Sequence, residues 1–297
     1  MNENVNVNVN ENKNENKNVT SKPIIFIDYD LSLSDIKENE NYISILNNII
    51  KEIIKIHGYC SLKTLIKTVH MVCEELEDFC NKNEDKFKIT SVKDKGLIGK
   101  IVEFYLFGNL PNNDSCPDMP YGDIKTTHFK NIGKESPNTF NAKERLTLTN
   151  FGDPSKQSNI DLISDKNSLQ ETKFYDKINK GIILIFQHDS FSNFENIENY
   201  YQKKIMGIVF YNLNNIFAND TDVAAIFKSD FEKIKKCIVE KNVSQCGQQY
   251  LHIHKHGCKD GVTRAFGFTN KFLTKLVSIC LNRPLIVKGR SEYIKFW

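Results

Sequence analysis

Two uninterrupted apolar runs, Ile182–Phe186 and Ile205–Tyr211, constrain this chain most. A strand turns alternate side chains to opposite faces, so a run without polar alternation must be covered on both sides. Both runs are too short to span a bilayer. They predict buried strands in a sheet with helices packed on it. Weaker strand signals fall at about 122–128, at about 143–149, and at Tyr250–His254 and Arg264–Phe268 around a Gly257–Gly261 loop. Helical periodicity marks 96–107, Val223–Glu240 and Asn270–Leu281. Strands mixed with helices predict an α/β or α+β domain around a central mixed sheet flanked by helices.

Upstream the pattern is helical. Ile45–His57 carries Ile45, Leu46, Ile49, Ile50, Ile53 and Ile54 on or near one face, and Gly58-Tyr59-Cys60 ends it. Ser61 is placed to cap a helix running to about Thr68, and a further helix is expected over Val72–Asn81. Pro23–Tyr29 reads as a short strand. Residues 1–22 alternate Asn with Val, Glu and Lys, too polar to offset the entropy of ordering. The expected organisation is a disordered tail over 1–22, a helical N-terminal lobe over 23–84 and the main domain over 85–297.

The net charge of +3 gives no global argument for a nucleic-acid partner. Local clusters do more: Lys93, Lys95 and Lys100; Lys125, Lys130 and Lys134; Lys255, Lys259, Arg264, Lys271 and Lys275. Such groups can neutralise backbone phosphates, or can simply solvate a surface. Eight cysteines stand singly, which predicts buried thiols rather than disulfides or a zinc site. No charged-then-apolar leader opens the chain, which points to an intracellular location (cytoplasm, nucleus or a viral compartment) rather than secretion. Nothing resembles a Ser/His/Asp triad, a phosphate-cradling Gly-rich loop or a dinucleotide fingerprint.

The chemistry concentrates in residues 93–125. Asp118 and Asp123 can hold one or two divalent ions, which polarise a phosphate and activate water at neutral pH. Lys125 can orient that water or offset the charge of the transition state. In a strand, Asp123 and Lys125 share one face with Ile124 buried behind, and the Pro-flanked turn can swing Asp118 to the same spot. Glu103 is a third acid, on the 96–107 helix. Taken alone, this spacing also fits a solvated turn before an edge strand.

The run Asp94-Lys95-Gly96-Leu97-Ile98-Gly99-Lys100-Ile101-Val102-Glu103, followed by Asp118 and by Asp123-Ile124-Lys125-Thr126, resembles the MutH family. That family contains a mismatch-repair nicking endonuclease and GATC-cutting type II restriction enzymes on the PD-(D/E)XK restriction-endonuclease fold. Its pattern is Asp-Lys-Gly-x-Ile-Gly-x-x-x-Glu, then Asp, then Glu-Leu-Lys-Thr. Three later blocks follow in order: Glu171–Ile178 running into Ile182–Phe186, Tyr250–Ile253, and Arg264–Phe268 with Asn270–Leu273. The likeness spans roughly residues 85 to 280. It implies a restriction-endonuclease-like core and Mg2+-dependent hydrolysis of duplex DNA, with Mn2+ able to substitute. It assigns Asp118, Asp123 and Glu103 to the metal, Lys125 and Lys177 to the water and phosphate, and Lys95 to DNA beside the site. The product would carry a 5′-phosphate.

This chain departs from the family in four places. Asp123 replaces a glutamate, the gap between the two acids is about two residues shorter, and Gly267 stands where MutH carries a tyrosine. The family's base-reading loop becomes His254-Lys255-His256-Gly257, so His254, Lys255, His256 and Arg264 are the expected DNA contacts. His252, His254, His256 and Cys258 also alternate as a set that could bind a transition metal, or could form a solvent-facing strand edge. One motif means one active site, so a palindromic target is either nicked or cut by two copies acting together. A protecting methyltransferase or a MutL-like protein is the partner implied beyond DNA. The alternatives are a catalytically weak DNA-binding module of the same fold and a structure-selective repair nuclease.

Overall fold

The computed structural model describes residues 29–89, 91–92, 94, 96–110, 117–132, 138–188, 196–240, 247–255, 263–289 and 291–296. The tail over 1–22 and, apart from Tyr29, the strand expected at Pro23–Tyr29 lie outside them. Tyr29 itself belongs to no strand.

The helices at the start of the chain are α1 (Leu33–Glu38), α2 (Asn41–His57), α3 (Leu62–Val72), α4 (Glu74–Asn83) and α5 (Leu97–Phe107). Between α2 and α3 lies the two-residue strand β1 (Cys60–Ser61). α2 buries Tyr42, Ile43, Leu46, Ile49, Ile50 and Ile53, the stripe its periodicity predicts, and stops at Gly58, whose φ of 78° suits glycine. Ser61 caps α3 by accepting a hydrogen bond from the Thr64 amide at 3.1 Å, as expected.

Next come β2 (Asp123–Asn131), β3 (Thr139–Ala142), β4 (Leu146–Gly152), α6 (Gln157–Ser164), α7 (Lys173–Ile178) and β5 (Lys180–Gln187). The chain continues through α8 (Glu198–Tyr201), β6 (Lys204–Asn212), α9 (Leu213–Asn219) and α10 (Thr221–Val239). It closes with β7 (Leu251–Lys255), β8 (Arg264–Phe268), α11 (Asn270–Cys280), β9 (Ile286–Lys288) and β10 (Ser291–Lys295).

A mixed seven-stranded sheet has the order β1-β6-β5-β2-β3-β10-β9, with β2 and β5 parallel, and a smaller sheet has the order β4-β8-β7. The apolar run of β5 explains the layering. Ile182, Leu184 and Phe186 join the core formed with α1–α5, whereas Ile183 and Ile185 join the core formed with α7, α10, α11 and the small sheet. Alternate residues of one strand therefore serve two cores, each fully buried Ile contributing about 2 kcal/mol. The helices expected as a leading lobe pack directly on the sheet and share its core. No helix among the described residues is long and apolar enough to cross a membrane.

Some expectations need correction. The strand placed at about 143–149 begins later, as β4 from Leu146; Lys143-Glu144-Arg145 is the bend that precedes it, and β3 before that bend went unread. α1, α6, α7 and the β9–β10 hairpin went unread because their apolar patterns are short. Among the described cysteines, Cys60, Cys73, Cys80 and Cys280 are thiols, but Cys237 is disulfide-bonded. Isolated cysteines in a sequence do not reveal which of them fold together.

Candidate active site

The site is assembled at the start of β2. Asp94 stabilises the entrance to α5: its side chain accepts from the Gly96 amide at 2.8 Å and its other oxygen pairs with Lys100 at 2.7 Å. α5 ends at Gly108, and the next residue, Asn109, joins helix to loop. Its amide donates to the Glu103 carbonyl at 3.0 Å, and its side chain donates to the Asp118 carbonyl at 2.8 Å. Asn109 is a positioning residue that the sequence reading missed; its signal was a Gly-Asn pair directly after a helix.

Beyond Asp118 the chain makes a tight turn in which Met119 and Gly122 exchange backbone hydrogen bonds of 3.1 and 3.0 Å. Gly122 lies against β5: an added Cβ would meet Gly181 Cα at 2.8 Å, so only glycine allows this approach. The turn returns Asp118 Oδ2 to the Ile124 amide at 2.8 Å. Asp118 and Asp123 are hydrogen-bonded to each other through their side chains. Asp123 and Lys125 project from one face of β2 and form an ion pair, while Ile124 is buried on the other, as the alternation predicts. Lys125 also reaches the Ile124 carbonyl at 3.2 Å.

The electrostatics show how close these groups are. Burial pushes the Glu103 carboxyl up to about 7, helped by Asp118 and Asp123 and opposed by Lys125 and Lys100. Burial also pushes Asp118 up to about 6, reinforced by its hydrogen bond with Asp123. Glu103, Asp118, Asp123 and Lys125 are thus one interacting set drawn from a helix, a turn and a strand. Lys177 sits half-buried on α7, just before the strand whose Gly181 pairs with Asp123, and so lies toward the same end of the sheet. Glu171 caps the turn preceding α7 by accepting from the Asn167 and Ser168 amides at 2.7 and 3.1 Å.

The expected DNA contacts fare differently. Lys95 and His256 lie outside the described residues, as does Cys258. Lys255 is exposed and pairs in register with the half-buried Arg264 across β7 and β8. His254 is buried, bonded through Nε2 to the Thr147 hydroxyl at 3.0 Å, with its ring 4.8 Å from that of His252. Both histidines are buried, which corrects the reading of a solvent-facing strand edge: the His254 ring lies across β8 at Gly267 and reaches Thr147 of β4. Of the lysine clusters, Lys271 pairs with Glu292 at 3.4 Å and Lys275 with Asp220 at 3.0 Å, so these two charges are engaged within the fold. Among the described residues, no three His, Cys, Asp or Glu side chains form a ready metal cage.

Gly267 has a structural reason. A Cβ there would stand 2.5 Å from the Leu146 carbonyl oxygen and 3.0 Å from the His254 ring. Gly267→Ala should therefore lower stability by about 1–3 kcal/mol, measured by urea unfolding. An unchanged midpoint would show that the small sheet yields freely.

No protein-family model matches the chain, and no curated protein matches it.

Proposed function

We propose that the protein is a Mg2+-dependent endonuclease of duplex DNA on a restriction-endonuclease-like core, of the MutH and type II restriction kind. The observation that carries this reading is the convergence of Glu103, Asp118, Asp123 and Lys125, with the two aspartates in hydrogen-bond contact. The donor set fits the ion. Mg2+ is held by one or two carboxylates plus water and substrate phosphate rather than by a closed protein cage. Two carboxylates in contact, Asp123 buried and Asp118 half-buried, favour sharing a proton or a cation over both staying ionised alone.

Asp118 and Asp123 would hold the metal. When bound, the ion draws charge from a phosphate oxygen and eases ionisation of the attacking water. Glu103, titrating near neutrality, is suited to accept that water's proton. The Lys125 ammonium, now paired with Asp123, can turn to the scissile phosphate and offset its growing charge. Lys177 would steady the same phosphate from the start of β5. Hydrolysis adds water across the P–O3′ bond, leaving a 5′-phosphate and a 3′-hydroxyl. A single site cuts one strand, so double-strand cleavage would need a second copy of the chain.

Digestion of unmethylated and adenine-methylated plasmid in Mg2+, in Mn2+ and in EDTA tests this reading. Discrete metal-dependent bands support restriction-type cleavage, and open circles support nicking. A difference between the plasmids would call for a methyltransferase or a MutL-like partner. One observation favours a second reading, a DNA-binding module with weak catalysis: Lys125 already occupies a carboxylate oxygen that the metal needs. Plasmid that is shifted on a gel but intact in every lane would establish that reading instead.

The metal should be linked to pH. In the metal-free fold, Glu103 and Asp118 keep protons up to about pH 7 and about pH 6. The unfolded chain releases them near pH 4. The folded state therefore binds more protons between those limits, and this contribution to stability is present at acid pH and lost as pH rises through 6 to 7. Mg2+ takes the place of those protons. It should raise the melting temperature more at pH 8 than at pH 5.5, and equal shifts at the two pH values would exclude Asp118 as a metal ligand.

A further inference from the structure

Four basic side chains converge at the far end of the main sheet. β2 and β5 run parallel, so both finish there, with His128 near the end of β2 and His188 directly after β5. The His188 amide donates to the Phe129 carbonyl at 2.8 Å, and the Lys143 amide to the His128 carbonyl at 2.9 Å. Lys203, just before β6, brings Nζ to 3.0 Å from His128 Nε2. The rings of His128 and His188 are 6.4 Å apart and nearly perpendicular.

This cluster is separate from the carboxylates. His128 lies five residues beyond Asp123, about 17 Å along the strand. It also faces the other side of β2, with its ring 5.9 Å from Phe186 in the core beneath α1–α5. An ammonium that donates to an imidazole nitrogen requires that ring to be neutral. Burial, then the charges of Lys203, Lys143 and His188, hold His128 down at about 3. Each of these three basic neighbours disfavours a positive charge on the ring. Lys143 is exposed and Lys203 half-buried, so both can be reached from solvent. Glu198 on the adjacent α8 already pairs with Lys63 at 2.9 Å.

We propose that His128, Lys143, His188 and Lys203 form an oxyanion subsite that takes a phosphate group. The two ammonium groups supply charge and the two imidazoles supply directional hydrogen bonds, the combination that a tetrahedral oxyanion uses. The group can belong to a free phosphate compound or to the backbone of DNA, since the recognising chemistry is the same. The proposal does not depend on the nuclease reading.

The test is NMR of the histidine ring signals of the full chain in EDTA, titrated separately with inorganic phosphate and with a duplex of about two helical turns. His128 should respond to one of the two and should then titrate at higher pH. Saturation by phosphate alone identifies a free phosphate ligand, and a response confined to the duplex identifies a backbone contact. Lys203→Gln should weaken the response about tenfold or more, the worth of one charge-assisted hydrogen bond. Lys143→Gln, an exposed change, carries the same test if Lys203→Gln does not fold. No movement of His128 with either ligand in the folded protein overturns the proposal, as does an undiminished response in both variants.

Discussion

Asp118→Asn should reduce Mg2+-dependent plasmid cleavage by about 1,000-fold without unfolding the protein. The substitution separates charge from geometry. An amide oxygen still accepts the Ile124 N–H, now bonded at 2.8 Å, so the turn leading into β2 keeps its anchor. Asn109 still grips the backbone at this position. An amide nitrogen can also donate to Asp123, replacing the shared proton. Only the negative charge is removed, along with the cost of burying it beside Asp123, which pushes Asp118 up to about 6. Melting temperature should therefore stay level or rise while activity collapses, the pattern of a site whose function costs stability. Cleavage within tenfold of the parent would remove Asp118 from the metal site.

Asp230→Ala should be the most damaging single change away from this site, at about 3–5 kcal/mol. Asp230 is fully buried on α10, yet it accepts from the Gln249 amide at 2.9 and 3.0 Å, the Tyr250 amide at 2.6 Å and the Leu251 amide at 3.1 Å. Lys233 stands 3.8 Å away. One carboxylate thus fixes the entry of β7, the strand that carries His252, His254 and Lys255. Alanine would leave three amide donors without their acceptor, each costing about 1–3 kcal/mol. At about 2–4 °C per kcal/mol for a chain of this size, the melting temperature should fall by roughly 10 °C. Asp230→Asn, which keeps one acceptor oxygen, should fall between the two. A loss below about 1 kcal/mol would mean that water replaces the carboxylate at this position.

What the sequence made legible follows from the range of the forces involved. Amphipathic periodicity and caps are local, so α2, the Ser61 cap and α11 could be read directly. The alternation that puts Asp123 and Lys125 on one face is local too, as is the double burial of β5. Asn109 and Asp230 act on partners distant in sequence or on backbone groups, and a sequence shows neither. Asp230 did leave a trace, an acid among Phe227, Phe231 and Ile234 on the apolar side of α10. His254 shows the opposite failure. Alternation put it correctly on a shared face with His252, but could not say that its ring would be buried against Gly267 and Thr147 of neighbouring strands.

The parallel pairing of β2 with β5 bears on the order in which the chain is made. By the time Lys125 leaves the ribosome, every member of the acidic cluster has been synthesised. The strand holding two of them still lacks its neighbour on one side until Gln187 follows. Pairing across such a long intervening stretch is slow, because loop closure must precede any gain from contact. A nascent chain should therefore carry all four side chains for some time without the geometry that brings them together. Whatever hydrolytic power they possess would be withheld until most of the protein has been translated.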